Sequence, residues 1–455
     1  KFIVMLISGV DFNPQILNAL EDNNLVIFAG AGVSMGSPCE LDDFVTLAKK
    51  IGNNVDLEVD EKFPEVYLGK LKAREVKIYD LLGQKLIKPG ASSTPLHKNI
   101  IRLFTKPGRC RIITTNYDLF FEEAYKEIFK EGAKTYISPA LPLGKNFNGI
   151  VHVHGALNAS KNGIVLTDDD FGRAYLTEGW ARRFLRGVFE NNTVLFVGYS
   201  HDDTVMKYLA RGLPPSNNFM RFVLTGEYNE QNHWKHLGIK ALKYPQTHKN
   251  DYKALNSAIE KLATLNEKGA LDIEKRISEI VDSPSELDEE TTSQLHWYLS
   301  KEYTTRFFCK HAREVEWLKW VHKNEYLEFF FNDDELDERE RLLAKWFSKF
   351  AIKNYQTALK IYATQFKKTN KQVTRIIADE LIFANKEDLN KQIYNAWLPI
   401  LLPLINDLHS IIHINLIENI ESLQAYEVLL LLFEKLTEPQ PKIGPYFTLD
   451  IDGTN

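Results

Sequence analysis

A chain of 455 residues is too long for one ordinary hydrophobic core and predicts about two to three domains. With 44% hydrophobic and 26% charged residues it has a globular composition, and a formal net charge of -5 argues against nucleic acid as a required partner. Its three cysteines, Cys39, Cys110 and Cys309, are too few for a disulfide framework and too far apart for a zinc pair, which predicts reduced thiols in a cytoplasmic protein.

The opening KFIVMLISGV has a short apolar part and no clear small-residue cleavage pattern, so it reads as a short strand or a processing remnant. From there to residue 268, short apolar runs alternate with helical stretches. Strands are predicted at Leu25–Ala29 and at residues 111–115, 149–154, 193–198 and 221–225. Each is rich in Val, Ile, Leu or Phe and lacks the polar alternation of a half-exposed sheet. Helices are predicted between them, at 41–51, 119–130 and 180–190. The alternation predicts a doubly wound α/β domain around a parallel sheet. Such sheets open their ligand crevice at the carboxyl ends of the strands, so the polar residues that end each run are the candidate site.

After the first strand come Gly30, Ala31, Gly32 and Ser34. Glycine lets backbone turn tightly and approach a ligand with no Cβ in the way, and loop amides beside a helix start suit a pyrophosphate. The loop matches neither GxGxxG nor a P-loop with its Lys, and a plain strand-to-helix turn is the competing reading. The second strand ends in Thr114, Thr115, Asn116, Tyr117 and Asp118. A side-chain amide can grip a ribose hydroxyl or hold a water through its donor and its acceptor. Asp118 either faces a developing positive charge or caps the next helix, and Tyr117 is expected to pack.

In VHVHG, His152 and His154 are expected to have opposite orientations with respect to the sheet if the segment is a strand. His154, beside Gly155 where the backbone opens, is the candidate for acid–base work; His152 is read as structural. No further His or Cys lies at ligand spacing, so no metal is expected. The fourth strand ends in Gly198, Tyr199 and Ser200, a small residue and a hydroxyl suited to a second phosphate or ribose. Asp202 and Asp203 either cap a following helix or touch ligand.

From about Leu271 glycine nearly vanishes and amphipathic stretches take over, with five of the seven tryptophans. Trp317, Trp320 and Val321 share one face, as do Leu342, Leu343, Trp346, Phe347 and Phe350. Residues 269–438 therefore read as an array of helices joined by polar turns such as 332–338, without a fixed-period repeat. Pro399 and Pro403 should kink the stretch at 398–405. That run and 428–433 are the longest apolar stretches; both fall short of the ~18–20 residues that span a bilayer. Residues 439–455 read as a linker or the start of a further domain.

The order GAG-x-S, T-x-N-Y-D, H-G and G-x-S resembles the sirtuin-like NAD-binding fold, in particular its zinc-free bacterial branch in antiphage defence, over about residues 20–260. The resemblance implies an NAD+ hydrolase that releases nicotinamide and ADP-ribose, with NAD as substrate. It implies that Gly30, Ala31, Gly32, Ser34, Thr115, Gly198 and Ser200 contact NAD. Asn116 would be the active-site asparagine, Asp118 its partner acid and His154 the catalytic histidine. Three departures favour simple NAD cleavage over acyl-lysine chemistry. The four-cysteine zinc module is missing, Thr115 stands where the family usually has glutamine, and Val45 follows Asp43 and Phe44 in place of an arginine. The defence role implies NAD depletion in abortive infection, with the helical half serving regulation or homo-oligomer assembly and receiving a phage-derived or host activator. A non-enzymatic receptor for NAD or ADP-ribose and a zinc-free NAD-dependent protein deacylase are the alternatives.

Overall fold

The computed structural model describes residues 4–199, 220–226, 231–248, 251–283, 287–332, 334–363, 369–383, 392–393 and 395–397. The expectations for Ser200, Asp202, Asp203, the stretches 398–405 and 428–433 and the segment 439–455 lie outside the described residues. The chain divides into two compact units. The first runs to Leu271 and takes in Asp288–Trp297; the second comprises Asp272–Leu287 and the chain from Tyr298.

The first unit opens with an antiparallel hairpin, β1 (Met5–Ile7) and β2 (Val10–Phe12), so the apolar start is a strand. Helix α1 (Pro14–Glu21) leads into β3 (Leu25–Ala29), every residue of which is buried. Helices α2 (Phe44–Ile51), α3 (Pro64–Ala73), α4 (Ile78–Leu86) and α5 (Pro95–Arg102) precede β4 (Arg111–Thr114). Then follow α6 (Phe120–Phe129), β5 (Thr135–Ile137), β6 (Gly149–His152), α7 (Asp168–Gly172), α8 (Trp180–Asn191), β7 (Thr193–Val197), β8 (Arg221–Gly226) and β9 (Lys240–Tyr244).

Strands β3 to β9 form one seven-stranded sheet in the order β5-β6-β4-β3-β7-β8-β9, and every pairing is parallel. Because both faces are covered, the central strands are continuous apolar runs rather than alternating ones. Val26, Phe28, Val151, Val194 and Phe196 pack against Phe184, Leu185 and Val188 of α8. Helices α2 to α4 build a second cluster from Leu47, Ile51, Tyr67, Leu68, Leu71 and Leu82. Asp43, which the sequence places before a missing arginine, caps α2 by accepting the Thr46 amide at 2.7 Å. The chain fills one side of β3 with β4, β6 and β5, then returns to lay β7 on the other side. The topological switch point therefore lies at the carboxyl end of β3, where such sheets hold their ligands.

The described part of the second unit is helical, including Glu302–His311, Val315–Lys323, Glu338–Ser348, Tyr355–Ala363 and Lys371–Phe383. The polar turn ends at Asp337, which starts the next helix with a reciprocal capping box to Glu340. Three indole N–H groups each close an otherwise open carbonyl at or near a helix end: Trp317 on Val281 (2.8 Å), Trp346 on Ala312 (2.6 Å) and Trp397 on Ala351 (2.9 Å). Tryptophan suits that task because a large apolar body carries one donor at its edge. No described helix is long and apolar enough to cross a membrane.

Candidate functional site

The loops after β3 and β7 interlock. Gly30 and Gly32 donate their amides to the Val197 and Gly198 carbonyls at 3.0 and 2.8 Å. A Cβ on Gly32 would lie 2.8 Å from Gly198 Cα, and one on Gly30 would lie 2.7 Å from the Gly198 carbonyl oxygen. Gly198 itself has φ +61°, and a Cβ there would meet the Val33 amide at 2.6 Å. The absence of a Cβ at these glycines thus lets the two loops pack closely. Val33 and Ser34 also donate their amides within the loop, to Gly30 and Ala31. The segment that follows is a single 3-10 turn, Ala31–Val33, with α2 starting only at Phe44.

That turn delivers Ser34, 1% exposed, to a buried polar network. Asn116 Nδ2 donates to Ser34 Oγ at 3.1 Å, and Ser34 Oγ donates to Asp118 Oδ2 at 3.0 Å. His97 Nε2 lies 3.3 Å from the same oxygen. The Thr94 amide donates to His97 Nδ1 at 3.1 Å, so in the neutral ring the proton sits on Nε2 and points at Ser34. Burial lowers His97 to about 3, which keeps it neutral. Ser34 accepts two hydrogen bonds and gives one, so its hydroxyl is saturated within the protein. It works here as the hub that orients Asn116.

Asn116 lies beyond the last residue of β4 and is 8% exposed. Its own amide donates to Thr114 Oγ1 at 3.0 Å, while Thr115 prolongs the ladder by donating to Ala29 at 3.4 Å. Asp118 Oδ1 accepts the amide of Phe120, the first residue of α6, at 3.2 Å. Burial pushes the Asp118 carboxyl up, only partly opposed by the Phe120 amide and the Ser34 hydroxyl. It therefore supports the helix start and faces Ser34 at once. Tyr117 packs in the α2–α4 cluster and donates to the Val165 carbonyl at 2.7 Å.

Opposite strand orientations do not explain how His152 and His154 differ. Two residues apart on a continuous strand they would share a face; the strand ends at His152 instead, and the chain turns at Gly155 with φ +89°. His152 Nδ1 donates to the Asn116 carbonyl at 3.0 Å, and its Nε2 faces Glu122 Oε1 at 2.9 Å. A carbonyl and a carboxylate both accept, so these partners favour the doubly protonated ring. Burial alone would lower its pKa; the Glu122 hydrogen bond and charge, the Asn116 carbonyl and Asp118 outweigh that and raise it.

His154 is 4% exposed, and burial lowers it to about 3, so it is neutral at pH 7. Its Nε2 lies 2.8 Å from Tyr175 Oη, with the Phe171 ring edge-on at 5.1 Å. It does not hydrogen-bond to Ser34, Asn116 or Asp118. Thr114 and His152 are paired neighbours on β4 and β6, so Asn116 and His154 each lie two residues past that pair.

The structure thus joins Ser34, Asn116 and Asp118 directly and sets His154 on the adjacent strand end. Sequence reasoning missed His97, Thr94, Glu122 and Tyr175. The readable signal for the first two was Thr94-Pro95 opening a helix, with His97 at the capping-box position. Among the described residues no group of His, Cys, Asp and Glu is placed to hold a metal ion. An open depression at the other end of the sheet, near Asn23 and Arg109 just before β3 and β4, lies away from all these residues.

A fully parallel doubly wound sheet with a buried Ser–Asn–Asp network at its switch point defines a parallel α/β protein with a polar cluster at its strand ends. Residues 111–242 match the family model described as a SIR2-like domain. It is 27% identical over 200 residues to the NAD(+) hydrolase ThsA of Acinetobacter baumannii, and 26% identical over 200 residues to that of Cytobacillus dafuensis. Each match takes in 43% of this chain, and 40% and 39% of those proteins. The uncharacterized protein y4cA of Sinorhizobium fredii is 28% identical over 378 residues, 75% of this chain and 30% of that protein. The chain thus matches well under half the length of these relatives, and its homology to ThsA is distant.

Proposed function

We propose that this chain is an NAD+ hydrolase that cleaves the nicotinamide–ribose bond to give nicotinamide and ADP-ribose. The observation that carries the reading is the Ser34–Asn116–Asp118 network beside a neutral His154, at the switch point of a SIR2-like sheet. The relatives named NAD(+) hydrolase support it.

Nicotinamide leaves as a neutral molecule from a cationic ring, and the ribose passes through an oxocarbenium-like centre. Asn116 has one amide hydrogen fixed on Ser34, which leaves its oxygen and second hydrogen to orient a ribose hydroxyl or the attacking water. Asp118 supplies a buried carboxylate toward the cationic centre. His154, buried at the end of the neighbouring strand segment, takes the proton from water or from a ribose hydroxyl. Gly30, Ala31, Gly32, Ser34, Thr115, Gly198 and Ser200 are carried forward as NAD contacts by resemblance. NAD depletion in antiphage defence, under control of the helical half, belongs to the same proposal.

The test is NAD consumption with product identification for wild type, Asn116→Ala and His154→Ala. Wild type should release nicotinamide and ADP-ribose, and His154→Ala should lose about 10²–10⁴ in rate. Full turnover by His154→Ala overturns its role. Acyl-ADP-ribose formed with an acyl-peptide would mark a deacylase instead, and saturable NAD binding without turnover under all activating conditions would mark a receptor.

A further inference from the structure

His154 presents only two ring nitrogens, and one of them, Nε2, is engaged 2.8 Å from Tyr175 Oη. We propose that Tyr175 is a positioning residue: it accepts the Nε2 proton of His154 and so leaves Nδ1 as the basic atom. The inference rests on the hydrolase reading for its consequence in catalysis, but not for its structural content.

The placement of Tyr175 is built with some care. It sits in a π-helical turn, Arg173–Thr177, closed by the Glu178 amide on the Arg173 carbonyl at 3.1 Å. A π turn inserts one residue into a helix and re-aims the side chains around it by about 100°. Here Tyr175 is turned inward, 2% exposed, while its neighbour Leu176 is 68% exposed. An outward leucine beside an inward tyrosine is a poor arrangement for burial alone, so the insertion serves the tyrosine.

The turn starts from a fixed base. Helix α7 begins with a capping box in which Thr167 and Asp170 satisfy each other's backbone. The Asp170 carboxylate also accepts Tyr79 Oη at 2.7 Å and pairs with Arg173 at 3.0 Å, at the first residue of the π turn. The Phe171 and Tyr175 rings stack at 12° and both meet the His154 ring edge-on, at 5.1 and 5.9 Å. The imidazole therefore sits against two aromatic edges, and hydrogen on Nε2 is the tautomer in which the Tyr175 hydroxyl accepts.

The tautomer matters because a neutral imidazole has one acceptor nitrogen. With hydrogen on Nε2 and donated to Tyr175, Nδ1 keeps its lone pair. When Nδ1 takes a proton from water or a ribose hydroxyl, the ring becomes imidazolium and Nε2–H keeps its bond to Tyr175. The phenol oxygen then stabilises the new charge and undergoes no net change. With the opposite tautomer Nδ1 would carry hydrogen and could not act as a base.

The experiment is nitrogen NMR on the full chain carrying ring-labelled histidine, with the His154 signals identified by their loss in His154→Gln. Wild type should show a single Nε2–H tautomer for His154. Tyr175→Phe, which keeps the ring and its stacking, should turn it into a tautomer mixture. In parallel, kcat for NAD cleavage should fall about tenfold in Tyr175→Phe with KM little changed, because the substrate contacts are untouched. An Nδ1–H tautomer in wild type overturns the inference, as does an unchanged tautomer in Tyr175→Phe. Faster turnover in Tyr175→Phe also overturns it, since the hydroxyl would then obstruct His154 rather than orient it. If wild type does not cleave NAD, the hydrolase reading fails, and the tautomer measurement still decides the role of Tyr175.

Discussion

Three histidines near one strand end are shifted in opposite directions, and the reason is visible residue by residue. His97 and His154 are buried against partners that a neutral ring satisfies, and burial lowers each to about 3 from an ordinary 6.5. His152 is buried between two acceptors and is held above its ordinary value. The signs follow. The unfolded chain takes up protons on His97 and His154 below about pH 6.5 while the folded one does not, so their contribution is complete above that pH. It is lost toward pH 3, at up to about 1.4 kcal/mol per pH unit for each ring. The His152–Glu122 pair has the opposite sign: its contribution is complete below about pH 6.5 and is lost as the pH rises through the raised folded value. Urea unfolding midpoints across pH should therefore fall on both sides of a neutral maximum. His97→Gln should flatten the acid limb and His152→Gln the alkaline one; an unchanged alkaline limb in His152→Gln would refute the charged assignment.

At the scale of elements, the interlock of the β3 and β7 loops is a packing constraint with a measurable cost. In Gly198→Ala the new Cβ would meet the Val33 amide at 2.6 Å from a backbone at φ +61°. Overpacking of this kind costs about 1–3 kcal/mol, and left-handed backbone adds about 1–2 kcal/mol for a residue with a Cβ. Gly83, inside α4 with nothing within 4 Å of its ideal Cβ, is the internal control. Gly83→Ala should stabilise the fold by about 0.5–1 kcal/mol. Thermal unfolding of the two variants should move in opposite directions. The same elements show what the sequence could carry. The central strands were legible because burial on both faces turns them into uninterrupted apolar runs. Strand β9 was not, because its KALKY places an exposed lysine and a half-buried one among its apolar residues, and β5 is three half-buried residues long. Asn116, Asp118 and Ser34 were legible because each directly follows such a run. His97 and Tyr175 were not, since one lies inside a helix and the other depends on a π turn that no local spacing announces.

At the scale of the whole chain, the change of texture near Leu271 marks a real shift to helices, but the polypeptide does not pass from one unit to the other only once. Asp288–Trp297 returns to the first unit. There the Ser293 hydroxyl accepts the Leu6 amide at 2.9 Å, and Glu290 pairs with Lys261 at 2.9 Å. A cut after Lys268 removes those partners from the β1–β2 hairpin and from the helix Lys253–Glu267. A fragment running on to Leu299 instead carries Ile277, Ile280 and Val281, which are buried in the intact chain, without the helices of their own unit. A bridged chain, in which a flexible Gly/Ser linker replaces residues 272–287 and the chain stops at Leu299, keeps the first unit whole. It should unfold at a higher temperature than the fragment 1–268; equal midpoints would mean that Asp288–Trp297 adds nothing to that unit. The bridged chain then isolates the role of the helical half. If those helices restrain the site, it should cleave NAD faster than the full chain at equal concentration and no longer depend on an activator. Identical rates and identical responses would leave the helices as a scaffold with no hold on the chemistry.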